Sequence, residues 1–278
     1  MYRFDPIVKK MVWGTERWVV SAVPGYESVV AEGPMRGKTI SDIFPGEFPL
    51  LVKFIDAGDD LSIQVHPGDE LAYRRHGCKG KTEMWYVIDA APSARLLCGW
   101  KKPMAPEAYE GAVCDGTITD YLNSYDVKAG DVFYVPSGRI HAIGTGCHIA
   151  EIQETSDITY RIYDYGRAGL DGKPRQLHTS EAKDAIDYTF LPDYRTHYTA
   201  ERNRMAELVR SPFFNTSMLE ADSEYSCRID SEYLIVMCVE GSAEVNGTPI
   251  SAGQAGLIIA EDRLEIRPSP SVRLLFSA

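Results

Sequence analysis

Apolar and polar residues alternate along this chain in short stretches. In 61–66, Leu61, Ile63 and Val65 fall on one side of an extended backbone, and Ser62, Gln64 and His66 fall on the other. Similar apolar stretches recur, each closed by Gly, Pro or Asp. The pattern predicts strands over 50–55, 61–66, 84–88, 132–135, 148–153, 159–163, 233–239, 242–245, 256–259, 264–267 and 271–276. Helical spacing is confined to 39–43, 70–75, parts of 106–123, and 180–186. Many short strands with few helices predict a mainly β fold of the sandwich or barrel kind.

The pattern also divides the chain. Residues 1–190 hold nearly all the histidines, whereas 205–278 reads as strands alone and contains no histidine, so a histidine-based metal site is excluded there. The segment 189–204, rich in Tyr, Arg and Thr, is the expected linker between two domains. The second part echoes the first: Gly253-Gln-Ala-Gly-Leu-Ile-Ile-Ala260 parallels Gly130-Asp-Val-Phe-Tyr-Val-Pro136 as a turn glycine followed by a buried strand. At 278 residues the chain is long enough to bury a sizeable core in each part.

Charge narrows the function. There are 29 Lys and Arg against 40 Asp and Glu, a formal net charge of −11. Without a basic stripe this excludes nucleic acid as a partner, and an anionic substrate needs a local cationic pocket. Apolar runs fall short of the ~20 residues that cross a bilayer, and the first residues lack a signal-peptide pattern. The six cysteines are scattered, without a C-x-x-C pair, as expected for reduced thiols of a cytoplasmic protein.

Three segments carry candidate chemistry. Gln64 and His66 share a strand face and can reach one ligand; a wet edge strand explains them equally well. Glu83 follows seventeen residues after His66, in Gly80-Lys-Thr-Glu-Met-Trp-Tyr86, where a strand-end charge is the simpler account. The stretch Gly130-Asp-Val-Phe-Tyr-Val-Pro136-Ser-Gly138-Arg-Ile-His141 is more specific: a turn, a buried strand, a proline stop, a glycine bend and a histidine opening the next strand. Together they offer one amide oxygen, two imidazoles and one carboxylate. That set suits Zn²⁺, Mn²⁺, Fe²⁺, Co²⁺ or Ni²⁺ in a catalytic rather than a structural site.

The last stretch resembles the second characteristic motif of cupins. Gln64-Val-His-Pro67 followed by Lys81-Thr-Glu-Met-Trp-Tyr86 is similar to the metal-site signature of type I phosphomannose isomerases in their short bacterial form. Trp13-Gly14, Leu51-Val-Lys-Phe-Ile-Asp-Ala57 and Ser156-Asp-Ile-Thr-Tyr-Arg-Ile-Tyr-Asp164 with Gly166-Arg167 extend the resemblance over about residues 5–180. Met84 departs from the pattern in a way such a site tolerates; the segment Gly14-Thr-Glu-Arg-Trp18, which lacks a second glycine, leaves substrate choice more open than the chemistry.

The resemblance implies a cupin-type double-stranded β-helix, a jelly-roll barrel with short helices, over 1–190 and a second, metal-free cupin-like β-domain over 205–278. It implies Gln64, His66, Glu83 and His141 as ligands of one divalent ion, with zinc the first choice, and Lys81 and Arg161 as the cationic catalytic groups. The implied reaction interconverts mannose 6-phosphate and fructose 6-phosphate through an enediol. A metal-bound water, Lys81 or a pocket carboxylate are equal candidates for the base.

The phosphate needs its own cationic site. Arg167, Lys173 and Arg175 lie on a glycine-rich loop just after Arg161, with Arg167 and Lys173 the expected contacts. Tyr160 and Tyr163, beside Arg161, are expected to line the sugar pocket. His178 is a candidate for the rim, His148 for a hydrogen-bonded core position, and His76 and His197 for the surface. Two readings compete. Another metal cupin enzyme would more often show H-x-H in the first motif, and a sugar-sensing cupin would lack ligands that are all present here. A phosphosugar is thus the expected partner, of a monomer or small homo-oligomer.

Overall fold

The computed structural model describes all 278 residues, 46% of them in strands and 12% in helices. The mainly β expectation holds, with the difference that the sheets face one another without closing into a barrel. The chain packs as two compact units, one formed by Met1–Ile7, Arg17–Phe54 and Thr196–Ala278, the other by Val8–Glu16 and Ile55–Arg195. Residues 1–7 and 17–54 group in one unit with Thr196–Ala278. Strand pairing explains part of this, since Tyr2 and Arg3 pair with Leu257 and Gly256.

The unit built on Ile55–Arg195 carries the candidate chemistry. Its strands are β1 (Ile63–Val65), β2 (Glu83–Ala90), β3 (Arg95–Trp100), β4 (Leu122–Asp126), β5 (Val132–Val135), β6 (His141–Ile143), β7 (Cys147–Glu154) and β8 (Tyr160–Tyr163). One sheet has the order β4-β3-β6-β1-β8, and in the other β2 lies between β5 and β7. Trp85, Val87, Leu96, Cys98, Phe133, Val135, Ile143 and Ile149 from both sheets form one buried cluster. The other face of the five-stranded sheet buries Ile63, Val65, Ala142, Tyr160 and Ile162 against Tyr109, Ala112 and Ala182 of the helices Pro106–Cys114 and Thr179–Ala185. β1 therefore has apolar residues on its helical face and polar ones on its inner face, as its alternation predicted. The sequence pattern missed β3 and β4, whose Arg95-Leu-Leu-Cys-Gly-Trp100 and Leu-Asn-Ser-Tyr-Asp126 do not alternate cleanly.

In the other unit, Tyr233–Val245 pairs with Arg263–Ser277, which also pairs with Asn215–Ala221. Leu219, Val236, Cys238, Ile258, Leu274 and Phe276 form its core. The four strands expected over 233–245 and 264–276 are two long ones, because register shifts near Glu240 and Gly241 absorb the turn-like residues without ending the ladder. No helix is long and apolar enough to cross a membrane.

Candidate active site

Three strands bring one row of side chains together. Gln64 lies opposite His141 of β6 on one side and Arg161 of β8 on the other. Directly opposed residues of antiparallel strands project to the same face. His66, two residues beyond Gln64, shares it. From the other sheet, Glu83 is opposed by Val135 of β5 and Gln153 of β7. The glycine motif has a structural task here. The Gly138 N–H donates to the His66 carbonyl at 2.8 Å, tying the bend before β6 to the end of β1. Gly138 has φ +88°, a conformation that residues with a Cβ rarely adopt.

His66, Glu83 and His141 each offer a ligand atom, all within 4.8 Å of one another and all buried. The His66 Nε2 lies 3.4 Å from Glu83 Oε2, and the His141 Nε2 lies 3.4 Å from Glu83 Oε1. The opposite ring nitrogens are engaged: Nδ1–H of His66 donates to the Ile158 carbonyl and Nδ1–H of His141 to the Arg139 carbonyl, each at 2.8 Å. Those bonds set the tautomer that turns both Nε2 lone pairs inward. Burial, aided by the Lys81 ammonium, pushes His66 down to about 3, and burial also lowers His141, so both imidazoles are neutral.

Burial alone would raise the Glu83 carboxyl, but Lys81 foremost among its neighbours holds it well below the usual carboxylate range. His66 Nε2 and both Glu83 carboxylate oxygens are buried without a hydrogen-bond partner. Buried polar atoms without a partner are costly; Lys81 offsets this at Glu83 Oε2, and one divalent cation would satisfy His66 Nε2 and Glu83 Oε1. Gln64 reaches His141 Nε2 at 3.3 Å through its amide nitrogen; the flipped amide would present its oxygen there instead.

Two cationic groups adjoin the cluster. The Lys81 ammonium, 5% exposed, forms an ion pair with Glu83 Oε2 at 2.9 Å. Arg161 donates from Nη1 to the Gln176 carbonyl at 2.9 Å, while its Nε is buried without a partner. The register slips between Arg161 and Tyr163. Arg161, before the slip, faces inward with Gln64, and the bulge re-aims Tyr163 beyond it. Tyr160 opposes Val65 and Tyr163 opposes Ile63, so both face the helices. This corrects the expectation that they line the sugar pocket. Tyr160 is buried there, with its hydroxyl 2.7 Å from His76 Nε2.

The loop after β8 gathers charge as expected, through a residue that sequence reasoning passed over. The buried Asp164 accepts from Arg167 Nε at 3.0 Å and from Arg175 Nε at 2.7 Å. Arg167 also lies 3.4 Å from Asp59. Arg161, Arg167 and Arg175 thus face two carboxylates, an excess of one positive charge in an acidic chain. Lys173 sits exposed on the turn of this loop. His148 lies half-exposed, 2.7 Å from Asp56, and is no core residue. Gln153 and Glu151 were also missed. Glu151 accepts from Trp85 Nε1 at 2.9 Å, and Gln153, fully buried beside Glu83, has an amide oxygen without a partner. The available signal was two polar residues, two positions apart, on an otherwise apolar strand.

Comparison with known proteins adds a separate line of support. The family model described as phosphomannose isomerase type I, catalytic domain, matches residues 5–84. Mannose-6-phosphate isomerase ManA of Bacillus subtilis strain 168 is 32% identical over 272 residues, spanning 87% of this chain and 86% of that protein. The mannose-6-phosphate isomerase of Streptococcus mutans is 34% identical over 242 residues, spanning 83% of this chain and 76% of that protein. The crystal structure of the mannose 6-phosphate isomerase from Bacillus subtilis superposes with a TM-score of 0.91 at 29% identity, covering 100% of this chain and 99% of that one.

Proposed function

The chain belongs to the type I phosphomannose isomerases, enzymes that interconvert mannose 6-phosphate and fructose 6-phosphate, and from that premise we propose which of its residues carry the reaction. His66, Glu83 and His141 hold one divalent ion, with Gln64 as a fourth ligand and zinc as the ion its nitrogen and oxygen donors favour. The observation that carries this is that two buried imidazoles and a buried carboxylate turn ligand atoms to within 4.8 Å of one another, with His66 Nε2 and Glu83 Oε1 left without a hydrogen-bond partner. When bound, such an ion supplies Lewis-acid polarisation of the sugar oxygens at C1 and C2.

The remaining work falls to side chains. Isomerisation moves one proton between C1 and C2 and another between their oxygens, so no oxidant or reductant enters. Negative charge grows on those oxygens as a base in the pocket takes the proton from one carbon, to return it to the other. Arg161, on the same face as Gln64 and His141, stabilises that charge with a preplaced guanidinium. Lys81 holds a proton at Nζ beside Glu83 and exchanges it with a sugar oxygen. Arg167 and Arg175 bind the phosphate: Asp164 orients both, and the excess positive charge of the group they form with Arg161 faces the anion. Lys173 is left as an outer contact. A cytoplasmic setting fits six cysteines that are all free.

The test is a coupled assay for fructose 6-phosphate. Protein stripped with chelator is supplied with mannose 6-phosphate and then with Zn²⁺, Mn²⁺ or Co²⁺, with His141→Ala as control. Turnover that returns with metal and is absent in the control is the expected result. Full turnover in the stripped protein would overturn the metal assignment.

A further inference from the structure

β8 is the edge strand of the five-stranded sheet, so the outward N–H and C=O of Arg161 meet no neighbouring strand. One residue takes the place of that strand. His178 donates its backbone N–H to the Arg161 carbonyl at 2.7 Å, and its ring Nδ1 accepts the Arg161 N–H at 3.1 Å. An edge residue whose peptide groups point outward forms the close, non-hydrogen-bonded kind of pair with its inner neighbour, in which the side chains approach most nearly. That neighbour is Gln64.

His178 is itself well anchored. It caps the helix Thr179–Ala185, its carbonyl accepts from the Ala182 N–H at 2.8 Å, and Ala182 is buried in the helical core. Two residues earlier, the Gln176 carbonyl holds the Arg161 guanidinium. Residues 162–177, which carry Asp164, Arg167 and Arg175, are therefore closed at their base by the His178–Arg161 pair.

We infer that His178 is a positioning residue for Arg161: its unprotonated Nδ1 and its backbone N–H pin the sheet edge so that the guanidinium faces Gln64 and His141. This rests on the reading of Arg161 as the charge-stabilising group. The histidine does no chemistry itself. It substitutes for a strand at the edge residue just before the register slips.

The experiment uses the metal-loaded enzyme as wild type, His178→Ala, His178→Asn and Arg161→Lys, with His178→Ala also made in the Arg161→Lys background. Turnover, KM, metal content and thermal midpoint are recorded for each. His178→Ala is expected to lower kcat by about tenfold or more, since small misplacements of a charge-stabilising group are costly, with KM and metal content little changed. His178→Asn, whose side-chain carbonyl also accepts the Arg161 N–H, restores most of the loss. Against Arg161→Lys, the alanine change adds less than a factor of about two, because coupled residues are not additive. Equal losses in both backgrounds, or no recovery in His178→Asn, would overturn the inference. Should His178→Ala fold poorly, the ¹⁵N spectrum of the wild-type ring decides: a proton on Nδ1 is incompatible with the proposal. Wild-type turnover in Arg161→Lys would refute the reading of Arg161 instead, and the two failures are distinct.

Discussion

His66 and Glu83 meet with Nε2 and Oε2 3.4 Å apart, both shut off from solvent, His66 Nε2 without a hydrogen-bond partner and Glu83 Oε2 beside the Lys81 ammonium at 2.9 Å. A neutral imidazole nitrogen buried without a partner opposes folding. With His141 completing the triangle, their closeness makes sense as a cation site assembled at some cost to the metal-free protein.

The first consequence is thermal. A ligand at about a thousandfold excess over its Kd stabilises the native state by ~4 kcal/mol, which in a domain of this size raises the midpoint by on the order of 10 °C. Scanning calorimetry of chelated and zinc-reloaded protein should show that difference, and His141→Ala should lose most of it. Identical midpoints with and without zinc would argue against the site.

Lys81 and the metal ligands should separate. Lys81→Met removes the proton-bearing group and leaves His66, Glu83 and His141 in place. We expect kcat to fall by about 10²–10⁴-fold while zinc content, measured by atomic absorption, stays near one per chain. Simultaneous loss of metal would mean that Lys81 serves chiefly to balance the charge of Glu83.

Asp164 should govern stability at acid pH. Burial alone would raise its carboxyl, but Arg175 and then Arg167 outweigh burial and hold it below the ordinary value of 3.8. A folded-state value below the unfolded one gives stability that is complete above about pH 4 and drains away as pH falls through the folded value. Asp164→Asn leaves two largely buried guanidinium groups short of their carboxylate, at about 3 kcal/mol. Urea midpoints should therefore differ most near neutrality and converge below pH 3.8. A constant gap down to acid pH would exclude the ion pairs as its source.

Gly80 is a packing constraint on the site. A Cβ there would come within 2.6 Å of the Asp69 nitrogen and 2.9 Å of the Pro67 carbonyl. Both contacts are backbone and cannot swing aside. The strain would fall on the segment that follows His66 and on Lys81. Gly80→Ala should cost about 1–3 kcal/mol, in the range of overpacking, and should weaken zinc binding in a chelator competition. Unchanged zinc affinity would show that the loop moves without disturbing His66.

Much of this protein could be read without coordinates. Alternation over 61–66 placed Gln64 and His66 on one face, since neighbours two apart in a strand always share a side. The glycine, proline and histidine of 130–141 marked a turn, a strand and a bend, because backbone freedom at glycine and the proline stop are local properties. Register between distant strands was not local. The opposition of Gln64 to both His141 and Arg161 is decided by how strands far apart in sequence slide against one another. The orientation of Tyr163 hangs on a single slip after Arg161, since a shift of one residue reverses the face of every side chain beyond it. Local spacing thus named the candidates, while tertiary pairing chose which of them face the metal cluster and which pack beneath the helices.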